Sequence, residues 1–273
     1  MSAPQRRAGT TGVGGAPGPV RVGAFYAGSE ESDLAVFAPL DPRVGTKLEV
    51  PFFFYLVEHP AGRVLFDTGT HPSVATCPEQ RLGAWAKGID CNPHQAPLEL
   101  LAAAGVGPQD IDYVAMSHLH YDHAGGLEFF PDATVLVQCR ELEVAHWPPV
   151  YQRQFYTTVD FEHTTSWLEL EGDYDVFGDG RVRLFTTPGH TEGHQSLLVI
   201  LDDGAVILAG DAAYTPWTFE QSIVPAIVAD PAAMVRSWGR IRALHRQYDA
   251  EVLFTHDTEY RETTRLAPER WYG

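Results

Sequence analysis

The stretch of sequence that decides the fold reads Ser117-His118-Leu119-His120-Tyr121-Asp122-His123-Ala124-Gly125-Gly126, directly after the apolar run Tyr113–Met116. Three imidazoles and one carboxylate fall within residues 118–123. Histidine is the commonest neutral metal ligand in proteins, and a carboxylate is its usual anionic partner. One short loop could therefore supply ligands to two metal ions. The spacing favours a metal centre over the alternative, a polar surface loop with coincidental histidines.

Three further apolar segments also stop at a histidine or an aspartate. Together with the first, the segments are 111–116 before Ser117-His118, 182–186 before Thr187-Pro188-Gly189-His190, 205–209 before Gly210-Asp211, and 251–254 before Thr255-His256. Catalytic groups usually lie on loops that a rigid scaffold holds in place. The candidate ligands are His118, His120, Asp122, His123, His190, Asp211 and His256. They are too many for one tetrahedral zinc ion but suit two metals with a shared carboxylate, a pair that clamps the reacting oxygens in hydrolysis.

Strands outnumber helices along the chain, and the helices lie mostly between strands. Residues 50–57 and 63–66 flank a turn at 59–62 and predict a hairpin, and 231–248 has the apolar period of a helix. Two strand-rich halves predict two sheets packed face to face with helices outside. Residues 1–19 are rich in Gly and Pro and predict a disordered tail, which leaves 20–273 as a single domain.

Composition excludes several classes of function. The chain has 273 residues, 44% of them hydrophobic, and a formal net charge of −17, which disfavours nucleic acid as a partner. No apolar run reaches membrane-spanning length, so no membrane association is expected. Cys77, Cys91 and Cys139 are scattered and predict reduced thiols in a cytoplasmic protein, with Cys139 in a strand. Composition leaves the oligomeric state open.

The motifs in this order resemble those of the metallo-β-lactamase-fold hydrolases. The matching segments are the HxHxDH signature at 118–123, the third-histidine motif at 188–194, the bridging aspartate at 210–211, the last histidine at 255–257, and Asp67-Thr68-Gly69. The resemblance covers about residues 20 to 265. It implies an αβ/βα four-layer sandwich with two mixed sheets and the metals at one edge of them.

Single positions at which families of that superfamily differ narrow the resemblance to one family. Asp211 stands where class B β-lactamases typically have cysteine, and His120 stands where flavodiiron proteins have glutamate. The chain is most similar to the N-acyl-homoserine lactonase family, in the segments SHLHYDHAGG, 137–143, 171–174, TPGHTEGHQSL and 211–214. Tyr121 stands where that family often has phenylalanine, a mild departure at the substrate wall.

The resemblance implies a site with two zinc ions. It implies that the first ion is bound by His118, His120 and His190, the second by Asp122, His123 and His256, and that Asp211 bridges them. A metal-bound hydroxide would attack the lactone carbonyl, Tyr214 would stabilise the oxyanion, and Asp122 would hand a proton to the leaving alkoxide. Asp67 and His194 are candidates for orienting the ligands. Ligand type favours zinc but does not exclude iron, manganese or cobalt.

Two other functions remain open on the sequence. The first is a thioesterase or another ester hydrolase of the same fold. The second is a member that acts in a biosynthetic pathway on a substrate unrelated to quorum sensing. Residues 24–50, 71–95 and 147–167 are predicted to be irregular, and their aromatic side chains either clasp an acyl chain or pack over the sheet edges.

Overall fold

The computed structural model describes residues 19–86, 89–90, 96–164 and 166–273. The predicted tail lies outside the described residues, apart from Pro19, and so does Cys91. Among the helices of this described part, none combines the length and apolar character needed to cross a membrane.

Seven strands form the first sheet. In chain order they are β1 (Arg21–Asp33), β2 (Lys47–His59), β3 (Gly62–Phe66), β4 (Ile89–Asp90), β5 (Tyr113–Ala115), β6 (Thr134–Gln138) and β7 (Trp167–Leu170). The spatial order is β4-β1-β2-β3-β5-β6-β7. The predicted hairpin at 59–62 joins β2 to β3, and β3, β5, β6 and β7 run parallel to one another.

Five strands form the second sheet. They are β8 (Tyr174–Asp175), β9 (Val182–Thr186), β10 (Gln195–Ile200), β11 (Ala205–Leu208) and β12 (Glu251–Leu253), in the spatial order β12-β11-β10-β9-β8. Because β10 is antiparallel to both β9 and β11, and β12 is parallel to β11, the strands β9, β11 and β12 all end at the same edge. Three of the four ligand-bearing loops leave from that edge.

The described helices are short, apart from one near the end of the chain. They are α1 (Leu34–Phe37), α2 (Ser73–Thr76), α3 (Pro78–Leu82), α4 (Pro97–Ala103), α5 (Tyr121–Ala124), α6 (Cys139–His146), α7 (Pro216–Gln221), α8 (Pro231–Tyr248) and α9 (Thr258–Thr263). Helix α8 has the predicted bounds. The Asp230 side chain caps its first turn, and Asp249 ends it in the left-handed conformation.

Strand β2 shows how the four layers form. Phe53 and Tyr55 face the second sheet and join a core that lies between the two sheets. Phe52 and Phe54, on the opposite face, pack in a second core under α4 and α6. A third core lies between the far face of the second sheet and α8, with Trp238 fully buried. The predicted αβ/βα sandwich is therefore confirmed.

Two local predictions are wrong. Residues 24–33 are not irregular, because β1 pairs with β2 as far as Asp33 and a register shift between Tyr26 and Gly28 absorbs the break in apolar pattern. Cys139 is not in a strand: it begins α6 and is half-buried. In β1, pairing with β2 outweighs the polar composition near Asp33, and Cys139 lies directly after the end of β6.

Candidate metal centre

Four loops at the edges of the two sheets bring the candidate ligands together. After β5, the amide of Ser117 donates to Asp67 Oδ1 at 2.7 Å, and the short helix α5 then turns the chain back. The loop after β9 supplies His190, and a turn directly after β11 supplies Asp211. The loop after β12 supplies His256, whose amide donates to the carbonyl of Tyr214.

Three imidazoles form what we call the first half-site: His118, His120 and His190. Their nitrogens lie close enough together to hold one ion, and all three side chains are buried. Nε2 of His190 is 3.0 Å from Nδ1 of His120. The family resemblance implies the same three residues as ligands of the first metal, and the structure brings them together.

Asp122, His123 and His256 form the second half-site, and they too are buried and close enough to hold an ion. Asp211 lies between the two half-sites. Its Oδ2 is 3.3 Å from Nε2 of His190, whereas its Oδ1 is 3.1 Å from Nε2 of His123 and 3.0 Å from Nε2 of His256. One carboxylate oxygen thus faces each half-site, which is the arrangement expected of a bridging ligand.

The electrostatics of the two half-sites differ. Burial lowers the pKa of His118 and of His120 well below the ordinary value. Repulsion from the neighbouring imidazoles lowers the pKa of both residues further. Burial also acts to lower the pKa of His123, but the carboxylates of Asp122 and Asp211 outweigh it and raise that pKa well above the ordinary value. For Asp211 itself, burial is outweighed by attraction to His256 and His123, which lowers the pKa.

The donor set fits bound metal. Nε2 of His118, Nε2 of His123 and Oδ1 of Asp211 are buried and lie close to one another without a well-directed hydrogen bond among the described residues. Buried polar atoms without partners are rare because they cost free energy, and here several converge. Imidazole nitrogen with carboxylate oxygen is the set that zinc and other first-row divalent ions bind. The fold and these clusters imply a metal cofactor.

A hydrogen-bonded network behind the ligands fixes their orientation. Asp67 Oδ2 is 2.8 Å from Nδ1 of His123, and Ser117 Oγ donates to the same oxygen at 2.8 Å. The Nδ1–H of His123 thus has a carboxylate partner, which leaves Nε2 to face Asp211. On the other half-site, Ser117 Oγ lies 2.9 Å from Nδ1 of His118. Asp67 was predicted to orient a ligand, whereas the part played by Ser117 was missed.

The other predicted site residues lie beside the cluster. The hydroxyl of Tyr214 is 3.0 Å from Nδ1 of His190, and its ring is edge-on to His256 at 5.2 Å. Burial raises the pKa of Tyr214 well above the ordinary value, so the phenol stays protonated. His194 packs behind the ligands and contacts Thr187 Oγ1 at 2.8 Å through Nδ1.

Glu141 was named only as part of a matching segment, with no role given to it. It is fully buried on α6, on the same helix face as Val144 and Ala145. An acidic residue on the buried face of an amphipathic helix is a signal that the sequence already carried.

The aromatic side chains of the irregular segments divide into three groups. Phe37 contacts Tyr214 at a ring distance of 5.4 Å, and Phe155 and Tyr156 lie 5.3 and 4.6 Å from His120. Trp147 and Tyr151 are largely exposed nearby in sequence. In contrast, Phe25 is stacked on Phe54 inside the core, and the side chain of Trp85 lies outside the described residues.

The family model of the metallo-beta-lactamase superfamily matches residues 53–267. The chain belongs to the metallo-beta-lactamase superfamily. The matched segment contains every candidate ligand, so the predicted fold family is confirmed, and with it the prediction of a metal-dependent hydrolase.

Relatives and solved structures narrow the position within the superfamily. An N-acyl homoserine lactonase, AttM, of Rhizobium radiobacter is 36% identical over 236 residues, which cover 82% of this chain and 89% of the relative. An N-acyl homoserine lactonase of Bacillus thuringiensis is 32% identical over 229 residues, 82% of this chain and 88% of the relative. A structure of an N-acyl homoserine lactone hydrolase with N-hexanoyl-L-homoserine at its catalytic metal centre has a TM-score of 0.81 at 30% identity, covering 92% of this chain and 98% of that chain. The predicted similarity to N-acyl homoserine lactonases is confirmed.

Proposed function

We propose that the protein is a dinuclear zinc hydrolase that opens the ring of N-acyl homoserine lactones. The observation that carries the proposal is the placement of Asp211, with one oxygen facing each half-site. A shared carboxylate between two clusters of buried ligands suits a pair of ions acting on one carbonyl. The substrate class is supported by the lactonases named above, to which the chain is similar along most of its length.

The first half-site, the second half-site and Asp211 would hold the two ions, in the assignment that the sequence predicts. When bound, such ions lower the pKa of a water molecule and polarise a carbonyl group. In the first half-site, burial favours the unprotonated form of the ligand imidazoles. In the second half-site, carboxylates lie next to the imidazole of His123.

Two residues of the chain have proposed roles toward the substrate. Tyr214 stays a neutral phenol beside His190, which makes it suited to donate a hydrogen bond to the carbonyl oxygen as charge develops there. Asp122 is the least buried of the candidate ligands, and its Oδ2 is 3.4 Å from Nε2 of His123 in the second half-site. In that position it would accept the proton that the attacking oxygen loses and pass it to the alkoxide that leaves when the ring opens.

The test is a substrate panel on the metal-loaded protein. N-acyl homoserine lactones of several chain lengths are compared with simple lactones, aryl esters and acyl thioesters, and the products are identified by mass. We expect ring-opened acyl homoserine and about two equivalents of zinc per chain by elemental analysis. His120→Ala should lose the metal of the first half-site and, with it, activity. Faster turnover of thioesters than of every lactone would contradict the substrate class, and full activity after exhaustive chelation would contradict the mechanism.

A further inference from the structure

We propose that Glu141 is a positioning residue for the first half-site and that it sets the metal affinity of that half-site alone. This inference rests on the proposed two-metal function. Glu141 lies on α6, which supplies no candidate ligand, and its side chain is fully buried.

Both oxygens of the Glu141 carboxylate accept hydrogen bonds from segments that bear first-half-site ligands. Oε1 accepts from the amide of Leu119 at 3.0 Å and from the hydroxyl of Tyr156 at 3.1 Å. Oε2 accepts from Thr191 Oγ1 at 2.7 Å. The carboxylate is therefore shared among three donors from three separate parts of the chain.

Each donor is tied to a ligand of the first half-site. The Leu119 amide belongs to the peptide bond that joins His118 to Leu119, and Leu119 stands between the two ligands His118 and His120, so the direction of this amide affects how the two imidazoles are presented. Thr191 directly follows His190 in the sequence. The ring of Tyr156 packs edge-on against His120 at 4.6 Å.

The second half-site is held by other groups. His123 is oriented by Asp67, and Nδ1 of His256 lies 2.9 Å from the carbonyl oxygen of Pro51. Within the described part of the chain, no hydrogen bond joins Glu141 to Asp122, His123 or His256. A change at Glu141 thus reaches one half-site directly and not the other.

Close packing fixes the distance between α6 and the loop that carries His190. A Cβ added at Gly193 would lie 2.1 Å from the backbone nitrogen of Glu141, so only glycine lets the two segments approach this closely. The backbone of Gly193 also acts to lower the pKa of the Glu141 carboxylate. Burial raises the pKa of Glu141, and the bonds from Thr191, Leu119 and Tyr156 oppose that rise.

Loss of the carboxylate leaves buried donors without a partner. Glu141→Gln replaces one acceptor oxygen by an NH2 group, which is itself a donor and faces donors in this pocket. The loop after β9 would then shift relative to the loop after β5, and the three imidazoles would no longer converge. Outer-shell substitutions of this kind typically cost about 10–100-fold in metal affinity.

The experiment measures zinc affinity by competition with a chromophoric chelator, after the wild-type protein has been shown to bind two equivalents. Single-ion backgrounds then isolate each half-site: His256→Ala leaves the first, and His120→Ala weakens it and leaves the second. We expect Glu141→Gln to lower zinc affinity about 10–100-fold in the His256→Ala background and to leave it unchanged in the His120→Ala background. Glu143→Ala, an exposed glutamate on the same helix, is the matched control and should change neither.

A second pair of variants keeps the test valid if Glu141→Gln does not fold. Thr191→Val removes one donor and should weaken the first half-site, whereas Thr191→Ser keeps the hydroxyl and should restore it. Equal losses in both backgrounds would mean that Glu141 is merely structural, and unchanged affinity in both would overturn the inference. A wild-type protein that binds one equivalent would instead overturn the proposed two-metal function.

Discussion

The two half-sites share Asp211 and yet are stabilised in different ways. The first half-site consists of imidazoles from two loops, and burial lowers the pKa of His118 and His120. The second half-site includes its own carboxylate, and the neighbouring aspartates raise the pKa of His123 in spite of its burial. Desolvation thus dominates on one side and direct charge interaction on the other, within a single cluster of buried residues.

The comparison also extends to the groups behind the ligands. Glu141 supports the first half-site mainly through backbone and hydroxyl donors, whereas Asp67 contacts a ligand imidazole of the second directly. The Glu141 carboxylate fixes the path of the two ligand-bearing loops, and the Asp67 carboxylate fixes the orientation of the His123 ring. The difference leads us to expect that the two half-sites can be weakened separately by single substitutions.

The largest effect is expected at the residue that the half-sites share. Asp211→Ala removes an oxygen from each side and takes one anionic neighbour away from His123 and from His190. We expect zinc content to fall at both half-sites and kcat to fall by at least about 10³-fold. Elemental analysis and lactone hydrolysis measure this. Asp203→Ala, in the exposed turn before β11, is the control; retention of two tightly bound ions by Asp211→Ala would show that the aspartate is not shared.

A smaller and mainly one-sided effect is expected at Asp67. Asp67→Asn keeps the size of the side chain but removes the charge that holds Nδ1–H of His123. Zinc affinity should fall about 10–100-fold at the second half-site, measured in the His120→Ala background, and less at the first, which Asp67 reaches through Ser117. Asp112→Asn alters a carboxylate that accepts a hydrogen bond from the backbone of Arg63 in the first sheet and should leave both affinities unchanged. A loss confined to the first half-site would reverse the assignment of supports.

The ligands could be predicted from the sequence because each ligand-bearing loop follows a strand, where the apolar pattern and the residue types are both visible. His118, His190, Asp211 and His256 are placed by four strand ends, and the parallel order of β9, β11 and β12 brings three of these ends to one edge. The same reasoning missed Glu141, because the partners of a buried carboxylate come from segments far apart in the chain. The length of β1 was also missed, since pairing with β2 overrides its polar composition.

Tyr214 contacts a ligand of each half-site, and its proposed role is toward the substrate and not toward either metal. Tyr214→Phe removes the hydroxyl 3.0 Å from His190 while the ring keeps its packing against His256. Because a metal ion would share the work of stabilising the oxyanion, we expect kcat to fall about tenfold, less than when a lone donor is lost. Zinc affinity should be unchanged at both half-sites. Tyr248→Phe on α8 is the control, and a rise in KM with unchanged kcat would assign Tyr214 to substrate binding instead.

The smallest effect is expected at Asp160, four residues after Tyr156, whose ring packs against His120. It is buried and pairs with Arg81 at 2.5 Å, yet burial raises its pKa to about 6 from the ordinary 3.8. Between these two values the folded protein binds more protons than the unfolded chain, so this group makes the protein less stable as pH rises from about 4 to 6. The slope is at most about 1.4 kcal/mol per pH unit.

Asp160→Asn should remove that slope and leave both zinc affinities unchanged, because its partner Arg81 is not in contact with a ligand in the described structure. Urea unfolding of the metal-free protein at several pH values measures the slope, with Glu162→Gln in the same turn as the control. If Asp160→Asn lowered the zinc affinity of the first half-site, the residues that position its ligands would include the segment from Tyr156 onward as well as Glu141. The two half-sites would then differ in how far their supports reach, and not only in the kind of group that supplies them.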